Sequence, residues 1–475
     1  MEMSGAVTDV RTDSLAALLR RVPVAVSPET SVRDALGRMC AERVGTVVVT
    51  DPLRGLPLGI LTQRDALQRV ALPAGDLDEA VAGVMTGGVV ALPLDASMHQ
   101  ARLTLARHGL RHLVVVDDEG RFAGVLCSGD LYARGRRVTD DLIETIHAVD
   151  GPEALAEAAQ RLRAEAAGRV DMGEGAQQLG EWISILNDLI VQKAIELTEG
   201  EFELPPVRWC WLGFGSEGRL EQTLSTDQDN GLVFLPEGRD DTDALRGRFL
   251  PFAQRINGLL DACGYPLCRG EIMAGNPRWC LSVDEWRGQF AEWVRAASPE
   301  SLLNGTIFFD LRALAGDAAL ASGLMRWLLE AAADNGLFLR FMATNALSGG
   351  LPLGRLRDFV VDRRSGLLDL KRDGSRPFVD AARILALSLR VGDTSTVGRL
   401  RATGTALGWA PRDVEAFVEA FDFIQLLRLR RQRAATRPPN QVAPAELNEM
   451  ERARLKESFR QGRRLQQLLA LRYQL

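Results

Sequence analysis

Histidine and cysteine are scarce in this chain, which has four histidines and six cysteines among 475 residues. No two cysteines form a C-x-x-C pair, so the ligand spacing of a structural zinc site is absent. The histidines His99, His108 and His112 cluster in sequence, but no acidic or thiol residues stand at ligand spacing around them. We therefore expect no zinc site, and we interpret the cysteines as small apolar residues in a reducing cytoplasm.

The chain also lacks long apolar runs and an excess of positive charge. No stretch approaches the roughly 20 apolar residues that a membrane-spanning helix needs, and the polar N-terminus does not read as a signal peptide. The formal net charge of −6 argues against nucleic acid or an anionic membrane as a partner. The length and the hydrophobic content of 46% predict a globular, cytoplasmic protein of about three domains.

An internal repeat occupies residues 15–135. Residues 59–65 (GILTQRD) match residues 124–130 (GVLCSGD), and 46–51 match 112–117 in the same order. Each half is predicted to form strand, helix, strand, strand and helix. This repeat resembles a tandem CBS pair.

The resemblance to CBS pairs implies an adenine nucleotide in the clefts between the halves. Thr62 and Asp65 would contact its phosphate or ribose in the first half, and Asp130 in the second. Cys127 stands where the first half has Thr62, which departs from the pattern. The alternative is a pair that only dimerises or transmits strain, with both aspartates as helix N-caps. The family also implies a homodimer through this pair.

The stretch 207–235 contains the candidate catalytic residues. An apolar run leads into the glycine turn 213–218 (GFGSEG), and a polar segment ends in Asp227-Gln228-Asp229 before a second apolar run. The order predicts strand, turn, short helix and strand. Alternate strand residues share a face, so Asp227 and Asp229 are predicted to aim two carboxylates at one point. Such carboxylates repel unless a cation lies between them, and Mg²⁺ or Mn²⁺ with substrate phosphates suits this site.

Three other interpretations of this stretch are weaker. Its polar part has ordinary turn composition, but apolar runs flank it. The glycines satisfy G-x-G-x-x-G, yet the acidic residues follow too soon for a dinucleotide-binding unit. No Lys-Ser or Lys-Thr pair follows the last glycine, which argues against a P-loop.

Gly215-Ser216, ten further residues and then the two aspartates resemble the signature of polymerase-β-like nucleotidyltransferases. The longer string GSEGRLEQTLSTDQDN resembles a narrower branch, related to the N-terminal part of protein-PII uridylyltransferase and often found behind CBS pairs. The resemblance assigns catalysis and metal binding to Asp227 and Asp229. It assigns the nucleotide phosphates to three residues of the turn: Gly215, Ser216 and Arg219.

A third carboxylate is not fixed by the sequence. Glu271 lies in a predicted strand, 266–273, where it could ligate metal or accept a proton, or simply face solvent. Asp310 competes with it. The segment 307–312 around Asp310 resembles a family motif, but its predicted helical setting suits a structural Asp–Arg contact equally well.

The remainder of the chain, 319–475, has a helical pattern and resembles the helical domain that accompanies this branch. That resemblance implies that Lys371 and Arg383 close over the nucleotide phosphates. Four arginines near a helix end are interpreted as a solvated basic face rather than a phosphate surface: Arg428, Arg430, Arg431 and Arg433.

The predicted fold is α/β plus α. It comprises a tandem CBS module (14–135), a helical linker (136–200), a small mixed-sheet nucleotidyltransferase core (201–318) and a helical C-terminal domain (319–475). The predicted function is transfer of UMP or AMP from an NTP to a protein hydroxyl, on a regulatory acceptor in signalling, under control of an adenine nucleotide at the CBS pair. A nucleotide sensor without catalysis, and transfer to a small hydroxyl compound, remain open.

Overall fold

The computed structural model describes residues 15–17, 19, 23–42, 44–72, 75–96, 100–101, 104–105, 108, 110, 112–127, 137–238, 240–354, 359–362, 364–434 and 438–475. The chain forms two compact units, one ending at Ile143 and the other beginning at Glu144. Within the residues described, no helix is both long and apolar enough to cross a membrane.

The first unit contains two sheets of the same plan. The first sheet is ordered β1-β2-β3-β4 and the second β5-β6-β7, and in each the first pair is parallel and the next antiparallel. The helix α1 (Val32–Ala41) follows β1, and α2 (Gln63–Asp65) follows β3 and continues into a π-helical turn. The strands are β1 (Ala25–Val26), β2 (Thr46–Thr50), β3 (Pro57–Thr62), β4 (Thr86–Gly87), β5 (Ala91–Pro93), β6 (His112–Val116) and β7 (Phe122–Cys127).

The two halves repeat each other down to a register shift. Val49 pairs with Gly59 in the first hairpin and Val115 with Gly124 in the second, and both ladders shift immediately afterwards. The predicted repeat is therefore confirmed in the described part of both halves. Asp130, with the helix predicted after β7, and His99 lie outside the described residues.

Three helices lead into the second unit: α3 (Arg137–His147), α4 (Pro152–Asp171) and α5 (Ala176–Glu199). Only residues 172–175 separate the last two helices. Helix α5 is largely buried. Its Gln192 Nε2 donates to the Leu314 carbonyl oxygen at 2.8 Å, so the segment predicted as a linker packs on the sheet of the core.

A four-stranded mixed sheet forms the centre of the second unit, in the order β10-β9-β8-β11. β8 (Arg208–Gly213), the short helix α6 (Gly215–Gly218) and β9 (Asn230–Leu235) confirm the predicted strand, turn, helix and strand. Helix α7 (Thr242–Ala262) follows, and Gly264 behind it has a φ of +88°, as expected after a helix C-terminus. The sheet is completed by β10 (Cys280–Ser282) and β11 (Arg312–Gly316), neither of which the sequence predicts.

The predicted strand at 266–273 is wrong, because these residues form turns and irregular backbone. Glu271 has a φ of +56°, in the left-handed region that interrupts an extended strand. The backbone carbonyl of Glu271 accepts hydrogen bonds from the side chains of Asn276 and Trp279, at 3.0 Å each. Those bonds fix the segment as a turn.

The last part of the chain is mainly helical, as predicted, with a two-stranded ladder of β12 (Leu368–Asp369) and β13 (Gln441–Val442). A π-helical turn, Leu370–Ser375, joins β12 to the helix that follows it. One apolar core runs from the sheet into these helices. The helices are α8 (Val283–Ala296), α9 (Pro299–Phe308), α10 (Ala318–Ala333), α11 (Gly336–Ser348), α12 (Arg376–Leu389), α13 (Thr396–Ala406), α14 (Pro411–Ala434) and α15 (Glu449–Tyr473).

Candidate active site

The glycine turn folds back on the aspartate segment. Phe214, the N-cap of α6, donates its backbone N–H to the Asp229 carbonyl at 2.8 Å. Gly215 has a φ of +54°, and a Cβ there would lie 3.4 Å from the carboxylate of Asp229. A glycine at this position therefore lets the backbone approach the carboxylate without strain.

At Gly218 the turn comes still closer to a neighbouring segment, the backbone at Asp310. A Cβ at this position would lie 1.7 Å from the backbone carbonyl oxygen of Asp310, a distance that no side chain can share. The turn is thus pressed against the chain between α9 and β11. Phe214 supports it from the core, with its ring 4.8 Å from that of Phe308.

Asp227 and Asp229 lie in the irregular segment just before β9, and Gln228 between them points the other way. Gln228 is buried, accepts from Asn257 Nδ2 at 2.8 Å and donates to the Tyr265 carbonyl at 2.8 Å. Both aspartates line one cavity. The alternation predicted from the sequence therefore brings the two carboxylates together, although the strand begins one residue later.

This cavity has a volume of about 340 Å³ and is walled by the glycine turn, the aspartate segment and the helical C-terminal part. The predicted residues Gly215, Ser216, Arg219 and Lys371 all border it. The structure thus brings together every residue that the sequence assigned to catalysis or nucleotide binding in the second unit.

The two carboxylates are electrostatically coupled. The pKa of Asp229 is raised to about 7, first by burial and then by the negative charge of Asp227. Hydrogen bonding to Cys268 and the charges of Lys371 and Arg219 act in the opposite direction. A cation between the carboxylates would remove the repulsion, so this pair could hold a divalent metal ion. Within the described residues, no three His, Cys, Asp or Glu side chains come together as a metal site.

Glu271 does not join the aspartate pair. It is exposed and does not border the cavity. Of the roles that the sequence left open for Glu271, the solvent-facing one agrees with this exposure, although the predicted strand is absent.

Asp310 is a structural acid: of the two roles that the sequence left open, the Asp–Arg contact is the one that the structure shows, whereas the predicted helical setting is wrong. It is fully buried and follows α9 rather than lying in a helix. Its carboxylate binds Arg219 at 2.6 Å, Arg383 at 2.6 Å and Arg399 at 2.5 Å. These guanidinium groups outweigh burial and hold the pKa of Asp310 well below its usual range. The neighbouring Arg312 pairs instead with Asp188 at 2.7 Å.

The basic residues at the cavity differ in whether they already bind carboxylates. Arg219 donates to Glu221 at 2.8 Å as well as to Asp310, and Arg383 is shared between Asp310 and Asp380. Both arginines are therefore committed to carboxylates, which weakens their predicted role on phosphates. Lys371 is an exposed residue, and in the described part of the chain no carboxylate lies within 4.0 Å of its ammonium group.

The four arginines predicted as one solvated patch separate into two kinds. Three are paired at the surface: Arg430 with Glu451, Arg431 with Glu446 and Arg433 with Asp171. Arg428 is buried and borders the cavity. The spacing of apolar residues is a local signal of this burial, because Arg428 follows Phe421 by seven residues and Ile424 by four and therefore lies on the apolar face of α14.

In the first unit, Thr62 and Asp65 bind each other. Thr62 is the N-cap of α2, its hydroxyl lies 2.6 Å from Asp65 Oδ2, and the two form a capping box. Thr62, not Asp65, is thus the cap of this helix. The predicted contacts of both residues with a nucleotide stay a prediction.

Family models match three parts of the chain. The CBS domain model matches residues 15–72 and 81–135, and the model described as Putative nucleotidyltransferase DUF294 matches 160–300. The model described as Putative nucleotidyltransferase substrate binding domain matches 336–473.

Similar proteins match over about a quarter of the chain. The CBS domain-containing protein YhcV of Bacillus subtilis is 30% identical over 106 residues, 22% of this chain and 74% of that protein. An uncharacterized protein of Methanopyrus kandleri is 27% identical over 26% of this chain, which spans only 62% of that protein's length. A solved CBS domain protein from Pyrobaculum aerophilum, complexed with AMP, is 28% identical with a TM-score of 0.24, over 25% of this chain and 88% of its own.

The CBS matches fall on the repeat of the first unit. The chain belongs to the CBS domain-containing proteins, and behind its CBS pair it carries the regions that match the models described as Putative nucleotidyltransferase DUF294 and Putative nucleotidyltransferase substrate binding domain.

Proposed function

We propose that the second unit is a metal-dependent nucleotidyltransferase that moves UMP or AMP from an NTP to a hydroxyl group of a protein. The observation that carries this proposal is the pairing of Asp227 and Asp229 on one cavity with Ser216 and Lys371. Acids for a metal ion and donors for phosphates are the groups that nucleotidyl transfer needs.

Mg²⁺ or Mn²⁺ fits the two aspartates. Burial, followed by the negative charge of Asp227, raises the pKa of Asp229 to about 7, and a hard cation accepts two carboxylates together with substrate phosphates. When bound, such ions lower the pKa of an attacking hydroxyl and neutralise charge on the triphosphate. Asp227 and Asp229 would determine the position of the metal ion, and therefore where the charge of the triphosphate is neutralised.

The reaction forms a bond between the acceptor oxygen and the α-phosphorus and breaks the bond from that phosphorus to the β-phosphate oxygen. Pyrophosphate leaves with the electron pair, and the hydroxyl proton passes to solvent. Ser216 would donate to a phosphate oxygen from its hydroxyl or backbone N–H. Lys371 would pair with the phosphates, because this residue borders the cavity and its ammonium group has no carboxylate partner among the described residues. Arg219 would act mainly by holding the turn against Asp310.

The acceptor we propose is a regulatory protein, as in the protein-PII uridylyltransferases that the motif resembles. The match of residues 336–473 to a substrate binding domain supports a helical surface for the acceptor. Transfer to a small hydroxyl compound is the weaker alternative for so large a helical part.

For the first unit we propose regulation by an adenine nucleotide, with a homodimer formed through the CBS pair. Thr62 and Asp65 would then exchange part of their mutual hydrogen bonding for contacts with the ligand. Titration of the full chain with AMP tests this, with Asp65→Ala expected to weaken binding. Asp78→Ala is the matched control, because Asp78 forms an exposed pair with Arg33.

A sensor that binds NTP without catalysis is the second candidate, and one observation favours it: the described residues supply two acidic ligands rather than three. Pyrophosphate release separates the two functions. Release that requires Mg²⁺ and an acceptor-containing fraction supports the transferase. Tight Mg²⁺–NTP binding without release would support the sensor.

A further inference from the structure

Arg428 is a buried guanidinium that the structure pairs with neutral amides. It is 7% exposed, its Nε donates to Asn440 Oδ1 at 3.0 Å, and its Nη1 donates to Gln425 Oε1 at 2.5 Å. Among the residues described, Nη2 has no hydrogen-bond partner and no carboxylate lies within 4.0 Å of the side chain. A full positive charge thus borders the cavity with one donor edge unused.

Other buried arginines of the same region have carboxylate partners. Arg383 and Arg399 both bind Asp310, at 2.6 and 2.5 Å. A buried charge without a counter-ion is unfavourable, since amide hydrogen bonds do not replace the lost hydration. Burial, followed by the charge of Arg219, lowers the pKa of Arg428 to about 10, although the more distant carboxylates of Glu221 and Asp369 on the same cavity act in the opposite direction. An anion bound in the cavity would remove this penalty.

The guanidinium is held in place from the catalytic side. Gln432 Nε2 donates to the same Asn440 oxygen at 3.3 Å, and Gln432 Oε1 accepts from the backbone N–H of Ser225 at 3.2 Å. Ser225 belongs to the segment that leads to Asp227. Arg428 is therefore connected through two amides to the segment that carries the proposed metal ligands.

We propose that Arg428 binds the β- and γ-phosphates of the NTP, the part that leaves as pyrophosphate. This assignment rests on the proposed function. The triphosphate carries several negative charges, whereas the base, the ribose and an acceptor hydroxyl are neutral. Arginine also presents several donors to phosphate oxygens at once. An anionic group of the acceptor has the same chemistry and is distinguished by the test.

The test compares the binding of nucleoside tri-, di- and monophosphates. The full-length protein with Mg²⁺ is titrated calorimetrically with UTP, UDP and UMP and with ATP, ADP and AMP. The adenine series is repeated in an Asp65→Ala background to remove a CBS contribution. Arg428→Gln is expected to weaken triphosphate binding about 10- to 100-fold, as for loss of a charged hydrogen bond, and to change monophosphate binding less than about 2-fold.

Arg430→Gln is the matched control, because Arg430 lies on the same helix in a surface pair with Glu451 at 3.3 Å. The thermal midpoint of the ligand-free Arg428→Gln protein is expected to stay within about 2 °C of wild type or to rise. Equal weakening for tri-, di- and monophosphates, or a large loss of ligand-free stability, would make the residue structural and overturn the proposal. Unchanged triphosphate binding with a raised KM for the acceptor would also overturn it. If the wild-type protein binds none of the six nucleotides, the proposed function itself fails.

Discussion

Arg219 Nη1 lies 2.6 Å from Asp310 Oδ2, although 91 residues separate them in the chain. The contact joins the end of the glycine turn to a buried acid that also holds Arg383 and Arg399 of the helical part. The same acid therefore orients the glycine turn and attaches the helices that close the cavity. Changes at this contact are expected to affect stability and the site together.

Asp310→Asn is expected to destabilise the protein strongly. It would leave three buried guanidinium groups without their shared counter-charge, at a cost of about 3–5 kcal/mol. Urea unfolding measures the change. Asp317→Asn is the control, because Asp317 pairs with Arg208 nearer the surface, and it should cost about 1 kcal/mol or less. Equal effects of the two substitutions would contradict the structural role of Asp310.

Gly218→Ala tests the close packing of the turn. The added Cβ would lie 1.7 Å from the Asp310 carbonyl oxygen, so the backbone must move, at about 3 kcal/mol or more. Gly258→Ala is the matched control, because Gly258 lies in α7 with no heavy atom within 4 Å of its added Cβ. It should stabilise by about 0.5–1 kcal/mol. Thermal unfolding of the two variants measures both changes, and we expect a lower midpoint for Gly218→Ala and a higher one for Gly258→Ala.

Lys371→Met is expected to raise the KM for NTP about 10-fold or more, with little change in stability, since the lost interaction is one charged hydrogen bond to phosphate. The comparison is Lys456→Met, whose ammonium lies 5.3 Å from the centre of the Phe359 ring. Initial rates at varied NTP concentration provide the measurement. An unchanged KM in the Lys371 variant would remove this residue from the nucleotide site.

Asp422→Asn should stabilise the protein only at higher pH. Burial raises the pKa of Asp422 from 3.8 to about 6, so the folded state binds this proton more tightly than the unfolded chain. The resulting stabilisation is complete below about pH 4 and is lost as the pH rises through about 6. Since the side chain is partly exposed, we expect a gain of about 1–2 kcal/mol at pH 8 and none at pH 4. Glu419→Gln, an exposed acid of the same helix, should change stability by less than about 0.5 kcal/mol at both pH values.

The sequence predicted local structure where its signals were local. Two apolar runs and the glycine turn predicted β8, α6 and β9, the alternation of Asp227 and Asp229 predicted their shared cavity, and the internal repeat predicted the hairpins of the first unit. It missed β10, which has three residues and shows no periodicity. It placed a strand at 266–273, where hydrogen bonds to the Glu271 carbonyl impose a turn.

Contacts between residues far apart in the chain could not be predicted from the sequence. Asp310 finds its arginine partners 73 to 91 residues away, and no spacing rule identifies them. The sequence grouped Arg428 with three surface arginines, whereas its burial and its amide partners distinguish it from them. Both residues show that the assembly of the cavity depends on packing between the sheet and the helices.

The central claim is tested most directly by transfer of label. The purified protein is incubated with Mg²⁺ and each α-labelled NTP in a lysate of its source cells, beside Asp227→Ala, Asp229→Ala and, as a control, Asp240→Ala in a surface turn of the same unit. We predict label on a macromolecule with the wild type and Asp240→Ala, and none with the other two. Label that persists in Asp227→Ala, or no label despite tight Mg²⁺–NTP binding by the wild type, would contradict the proposed nucleotidyl transfer.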